Sequence, residues 1–120
     1  MSSNDFPVTI YHNPACGTSR NVLAMAEAAG HTPTVIEYLK TGWTAEQLRD
    51  LSRQTGQSLR QLMRETGTPA QELGLLEDGV SEETILAAML AHPILVNRPI
   101  VITPKGADLC RPSDTAAKLL

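Results

Sequence analysis

The passage from Val8 to Tyr38 constrains this chain more than any other. Val8-Thr9-Ile10-Tyr11 has the alternation of a short strand, and Thr34 to Tyr38, after Pro33, suits a second. Between them Val22, Met25, Ala26 and Ala29 recur at i, i+3, i+4 and i+7, one apolar face of a helix, with Gly30 as a natural stop. Strand, helix and strand in so short a compass read as a βαβ unit with parallel strands and a right-handed crossover.

The rest of the chain completes a small mixed sheet. Thr44 is placed to cap a helix carrying Leu48 and Leu51, and Ser58 one carrying Leu59, Leu62 and Met63. Ser81 opens a third, with Glu82 and Glu83 in its first turn, where the helix dipole favours carboxylates. Its apolar face is Ile85, Leu86, Met89 and Leu90, and His92-Pro93 ends it. Ile100 to Thr103 and Ala107 to Cys110 form a hairpin around Pro104-Lys105-Gly106, and Ser113 to Leu120 predicts a closing helix. The order βαβ, helical insert, ββα is that of an α/β thioredoxin-like fold. It implies a four-stranded mixed sheet flanked by helices, with the insert between the second and third strands. At 120 residues the chain is expected to be a single domain, residues 1–120. Such a chain buries roughly two-thirds of its unfolded surface, enough for a core without staples. Residues Met1 to Pro7 read as a frayed end with neither the basic residue nor the apolar core of a signal peptide.

Composition excludes several classes. A net charge of -3 exerts no global pull on nucleic acid or an anionic membrane. No stretch approaches the roughly 20 apolar residues of a membrane span. Two cysteines are too few for a disulfide scaffold or a four-cysteine zinc site. A soluble, cytoplasmic protein follows as the expectation. The charge is unevenly spread: Arg49 to Arg64 holds four arginines and one acid, Asp50, while Glu65 to Asn97 holds six acids and no lysine or arginine. Most of these read as solvated helix faces.

Chemistry concentrates at Cys16. It lies between the first strand and the first helix, where the N–H groups of Gly17, Thr18 and Ser19 lack helical acceptors. Those donors and the helix dipole favour a thiolate, and the same amides suit a tetrahedral oxyanion. Gly17 allows close approach of the backbone, and Arg20 adds a positive charge. His12, at the end of the strand, is placed to donate to the thiolate, directly or through the loop, or to hold the loop in shape. A lone cysteine is commonly a small buried hydrophobe, and that remains the reading for Cys110. The position of Cys16, with Pro14 two residues before it and Gly17 directly after, favours reactivity instead. Cys16-Gly17-Thr18-Ser19 is C-x-x-S, so no resolving thiol stands where a dithiol oxidoreductase has one. The resolving thiol is therefore external or is Cys110.

The chain resembles the glutaredoxin-dependent arsenate reductases. The likeness runs collinearly through His12-Asn13-Pro14-Ala15-Cys16-Gly17-Thr18-Ser19-Arg20, Leu62-Met63-Arg64-Glu65, Glu72-Leu73-Gly74-Leu75, His92 to Val101 and Leu109-Cys110-Arg111-Pro112-Ser113. The resemblance implies that Cys16 attacks arsenic, that His12 helps to lower the thiol's pKa, and that Arg64, Arg98 and Arg111 hold the arsenate and arsenite oxygens. It implies that Pro99 is the cis-proline facing the active cysteine, and that glutathione and glutaredoxin supply the other thiols with no bound cofactor. On residue type alone Arg64 reads as a helix-face residue, and only Arg98, before proline and among apolar neighbours, stands out. Arginine's planar, permanently charged fork suits such oxygens. Some relatives carry a further C-terminal helical extension beyond the Arg111 motif, but every matched residue is present here. Two other functions fit parts of the pattern. A monothiol glutaredoxin-like oxidoreductase accounts for C-x-x-S but not for the arginines or the insert. An RNA-polymerase-binding regulator of this fold typically carries C-x-x-C.

Overall fold

The computed structural model describes residues 6–120; the expectation for Met1 to Pro7 therefore lies mostly outside the described residues. The chain divides into two compact units, one holding the residues up to Thr41 together with Arg98–Leu120, the other Gly42–Asn97.

The first unit contains the sheet. Strand β1 (Thr9–Tyr11) leads into helix α1 (Gly17–Ala28) and then strand β2 (Thr34–Ile36), which pairs parallel to β1 with Thr9 opposite Thr34. Strands β3 (Ile100–Thr103) and β4 (Gly106–Leu109) form the hairpin; β3 runs antiparallel to β1, with Ile10 opposite Val101. The order β2-β1-β3-β4 is the expected four-stranded mixed sheet. One face is covered by α1 and the C-terminal segment: Val8, Ile10, Val22, Ala26, Val101, Cys110, Ala116 and Leu119 form a continuous buried cluster. Each fully buried aliphatic side chain there contributes about 1.5–3 kcal/mol relative to exposure. Helix α1 ends at a left-handed glycine, with the Gly30 N–H donating to Glu27 O and the His31 N–H to Ala26 O, so its last carbonyls are satisfied.

Three local expectations are corrected. β2 stops at Ile36, and Tyr38, expected in the strand, begins a short helix α2 (Tyr38–Thr41) and is fully buried. Gly106 belongs to β4 rather than to the turn, at φ 139, a value glycine adopts without a Cβ clash. The closing helix is 3-10 over Ser113–Lys118; an apolar pattern so short does not separate i+3 from i+4 bonding.

The second unit is helical and keeps the expected caps. Helix α3 (Ala45–Thr55) starts at a Thr44–Gln47 capping box and α4 (Leu59–Leu62) at a Ser58–Gln61 one. In α5 (Glu82–Ala91) the Ser81 side chain accepts the Thr84 N–H. Ile85, Leu86 and Met89 of α5 are buried as expected, while Leu90 is exposed. Met63 leaves the helix line and bridges Val96 instead. Glu82 accepts the N–H groups of Leu59 and Arg60 at 2.8 and 3.2 Å, tying the start of α5 to that of α4.

Candidate active site

Cys16 is the N-cap of α1, in extended conformation at φ -95 and ψ 122. The loop before it is closed by its own hydrogen bonds. The Cys16 N–H donates to Asn13 O at 3.0 Å, the Ala15 N–H to Asn13 Oδ1 at 3.0 Å, and Arg20 Nη1 to Pro14 O at 2.8 Å. Upstream, the His12 N–H donates to Ile36 O at 2.8 Å, anchoring the loop to β2. A proline preceded by an asparagine whose side chain bonds two residues on is a tight turn encoded locally. It delivers the cysteine to the helix terminus.

The sulfur is buried but not enclosed by apolar groups alone. Arg111 Nη1 lies 3.5 Å from Sγ and also donates to Arg98 O at 3.0 Å. Burial pushes the thiol up, but the Ser19 N–H, then the Arg111 and Arg98 guanidiniums, outweigh it and bring the pKa down from 9.0 to about 7. Of these donors the Ser19 N–H has the largest effect, acting on the sulfur as a backbone hydrogen-bond donor at the α1 terminus. Half of Cys16 is therefore thiolate near neutral pH, and the helix terminus and two arginines jointly account for it.

Arg98 and Arg111 are placed by the backbone that precedes and follows the hairpin. Both Arg98–Pro99 and Arg111–Pro112 are cis, so the bond that the sequence only permitted at Pro99 is present. The Cys110 N–H donates to Pro99 O at 2.9 Å, which sets Arg111 directly beside the Arg98 carbonyl it grips. Arg64 belongs to the second unit. There its N–H donates to Leu95 O at 2.7 Å, Nε to Thr66 O at 3.0 Å and Nη1 to Asn97 Oδ1 at 3.3 Å.

His12 is buried, and its Nδ1 lies 2.7 Å from Ser19 Oγ. Burial lowers its pKa, Glu37 opposes this and Arg20 adds to it, a balance that favours the neutral ring. Its side-chain bond goes to Ser19 of the first turn of α1, and not to the sulfur. Gly17 and Thr18 supply first-turn amides, and a Cβ at Gly17 meets only Arg20 Nη2, at 3.7 Å, so that glycine is no packing requirement of the chain itself. Cys110 is fully buried, donates from Sγ to Asp108 O at 3.7 Å, and is pushed up to about 12 by burial and by Asp108. It stays a thiol. Asn13 and the Ser19 side chain were missed by sequence reasoning; the strand-Asn-Pro sequence was the one available signal for Asn13. Among the described residues no group of three or more His, Cys, Asp or Glu side chains is placed to hold a metal ion. No helix there is long and apolar enough to cross a membrane.

A reactive thiol at a helix terminus, with two arginine guanidiniums acting on it, can attack an electrophilic centre that carries anionic oxygens. The ArsC family model matches residues 11–119. The chain belongs to the ArsC family. It is 57% identical over 113 residues to an arsenate reductase of Synechocystis sp., covering 94% of this chain and 81% of that protein. To the arsenate reductase of Escherichia coli it is 50% identical, covering 94% of this chain and 80% of that one. The solved arsenate reductase from Vibrio cholerae superposes at a TM-score of 0.90 with 39% identity, covering 96% of this chain and 98% of that one. The ArsC fold of this chain is thus the thioredoxin-like one.

Proposed function

We propose that this ArsC-family protein is an arsenate reductase in which Cys16 is the nucleophile. The observation that carries the reading is Arg111 Nη1 at 3.5 Å from a sulfur whose pKa is about 7. One guanidinium there serves both the thiolate and an incoming oxyanion. The names of relatives at 50% and 57% identity supply the substrate.

In the first step the Cys16 thiolate forms an S–As bond and an arsenate oxygen leaves, protonated, as water; arsenic remains pentavalent. A glutathione thiol next displaces a second oxygen. A glutaredoxin thiol then takes the glutathione sulfur as a mixed disulfide, leaving the electron pair on arsenic, which becomes trivalent. Hydrolysis of the remaining S–As bond frees arsenite and regenerates Cys16. C-x-x-S fits this sequence, since the resolving thiols come from outside, and Cys110 is too buried and too weakly acidic to join. Arg98, Arg111 and the amides of Gly17, Thr18 and Ser19 are assigned to the oxyanion. Arg64 is assigned there on its sequence match, and Pro99 is assigned to shape the site. His12 is assigned to support the nucleophile. No bound cofactor is needed. We read residues 1–120 as one arsenate reductase domain, because a single family model spans both units. A cytoplasmic setting, where thiols are kept reduced, suits the chemistry.

The test is arsenate-dependent consumption of NADPH coupled through glutathione reductase, glutathione and glutaredoxin. Turnover that Cys16→Ser abolishes is the expected result. Consumption without arsenate, or full activity in Cys16→Ser, overturns the reading.

A further inference from the structure

One side chain of the C-x-x-S loop has no part in the chemistry above. Ser19 occupies the third position of α1, where a serine side chain ordinarily meets water, yet it is 0% exposed. Its hydroxyl points back into the loop. Oγ accepts the Asn13 N–H at 3.1 Å and lies 2.7 Å from His12 Nδ1. Both partners are buried. The last residues before the loop are thus tied to the first turn of α1 through one oxygen, and residues 14–18, Cys16 among them, are the segment that this oxygen closes.

The proton can be assigned from the partners. Asn13 N–H occupies one lone pair of Oγ, and among the described residues the only acceptor within reach of the hydroxyl hydrogen is Nδ1 of the neutral ring. Ser19 therefore donates to His12, and the imidazole carries its own hydrogen on Nε2. Sulfur cannot reproduce this. A thiol is a weak donor with longer contacts than 2.7 and 3.1 Å, so a second cysteine at this position would lose both bonds.

We propose that the Ser19 hydroxyl is a positioning residue of the reaction, joining His12 and Asn13 across the loop and so fixing the α1 terminus against which the Cys16 thiolate and the substrate oxyanion rest. The serine of C-x-x-S is then the clamp of a one-thiol loop, and not the vacated place of a resolving cysteine. The inference rests on the reading of Cys16 as the nucleophile. It gives His12 its effect on the thiol through Ser19, whose own N–H acts on the sulfur.

The experiment is the rate of Cys16 alkylation by iodoacetamide against pH, the modified residue being identified by mass, in the full chain and in Ser19→Ala, His12→Ala, His12→Asn and the double alanine variant. The unaltered protein should titrate near 7. Ser19→Ala should move the midpoint toward the free-cysteine value of about 8.5 and cut the thiolate at pH 7 roughly tenfold. His12→Ala should move it the same way, and the double variant no further than Ser19→Ala alone. Asparagine carries a polar atom where Nδ1 stood, so His12→Asn should recover most of the shift. An unchanged midpoint in Ser19→Ala, additive shifts in the double variant, or His12→Asn no better than His12→Ala overturns the proposal. Should Ser19→Ala fail to fold, the two His12 variants decide it alone. Alkylation needs no arsenate, so a chain that titrates near 7 but reduces no arsenate sinks the proposed function and leaves the clamp standing.

Discussion

Replacing Arg111 by alanine separates the two jobs proposed for its one guanidinium. Nη1 sits 3.5 Å from Sγ, and Arg111 follows the Ser19 amide among the influences that lower the thiol. A hydrogen bond to a charged group is worth about 1.5 kcal/mol at such a half-buried place, a little over one pKa unit at 1.36 kcal/mol per unit. The Cys16 midpoint should therefore rise from about 7 to about 8. At pH 7 the thiolate share falls from about a half to about a tenth, but each thiolate becomes about threefold more nucleophilic, the Brønsted slope being about 0.4–0.5. Alkylation by a neutral reagent should therefore slow only about twofold at pH 7 and speed up about threefold at pH 9, the two profiles crossing between. Arsenate reduction should fall much further, because on the proposed mechanism the transition state also loses an oxyanion donor, an effect of about 100-fold or more in kcat/KM that a roughly threefold gain in nucleophilicity does not offset. The assay pairs alkylation and coupled NADPH consumption on the same preparations. Equal losses in both at pH 7, or profiles that never cross, would refute the double role of Arg111.

Arg98→Ala should raise the Cys16 midpoint and depress kcat/KM for arsenate at least tenfold, and Arg98→Lys should restore the midpoint better than the activity, since a point charge lowers a thiol but cannot grip two oxygens. Cys110→Ala should keep full arsenate turnover while losing about 1 kcal/mol in urea unfolding. The Cys110 thiol also sets an alkaline limit: its folded pKa of about 12 lies above the unfolded value. Its stabilising share is therefore complete below the unfolded pKa and drains away as pH rises toward the folded one, at about 1.4 kcal/mol per pH unit. The gap of about 1 kcal/mol between the parent protein and Cys110→Ala should therefore close within about one pH unit above the unfolded pKa and reverse beyond it. Thr44→Ala and Ser58→Ala should each cost about 1 kcal/mol by removing a capping box, with no change in the alkylation midpoint.

What could be read from the sequence was local. Thr44 with Gln47, Ser58 with Gln61 and Ser81 with Thr84 are bonds three residues apart, and each forms where expected. Val22 and Ala26 could be placed in the core for the same reason, as could Cys16 at the α1 terminus. Tyr38 was misplaced because a buried aromatic after a β run looks like more strand, and only its tertiary surroundings turn it into α2. Leu90 was expected in the core because the apolar stripe of α5 is wide, yet the helix turns that side chain outward. Ser19 illustrates the harder loss. Its bond to His12 spans seven residues and depends on where a strand end and a helix start meet, which no periodicity records. Arg111, ninety-five residues from the sulfur it touches, was legible only through the family resemblance.

These donors also bear on why a thiol lowered to about 7 suits the proposed reaction. In the proposed reaction Cys16 first attacks and finally leaves, and lowering its pKa improves the second at the expense of the first. The Ser19 amide and the two arginines act on the sulfur of the free protein, and in the proposed attack the charge passes from that sulfur to the arsenate oxygens a bond length away. Donors already aimed at the sulfur need little reorganisation to follow it. Catalysis requires that they bind the second charge more strongly than the first, and a planar fork shared between Arg98 O and Sγ, as Arg111 is, has a weak sulfur contact to exchange for a strong oxygen one. The 3.5 Å spacing is long for a hydrogen bond to oxygen and ordinary for one to sulfur, as that proposed exchange requires.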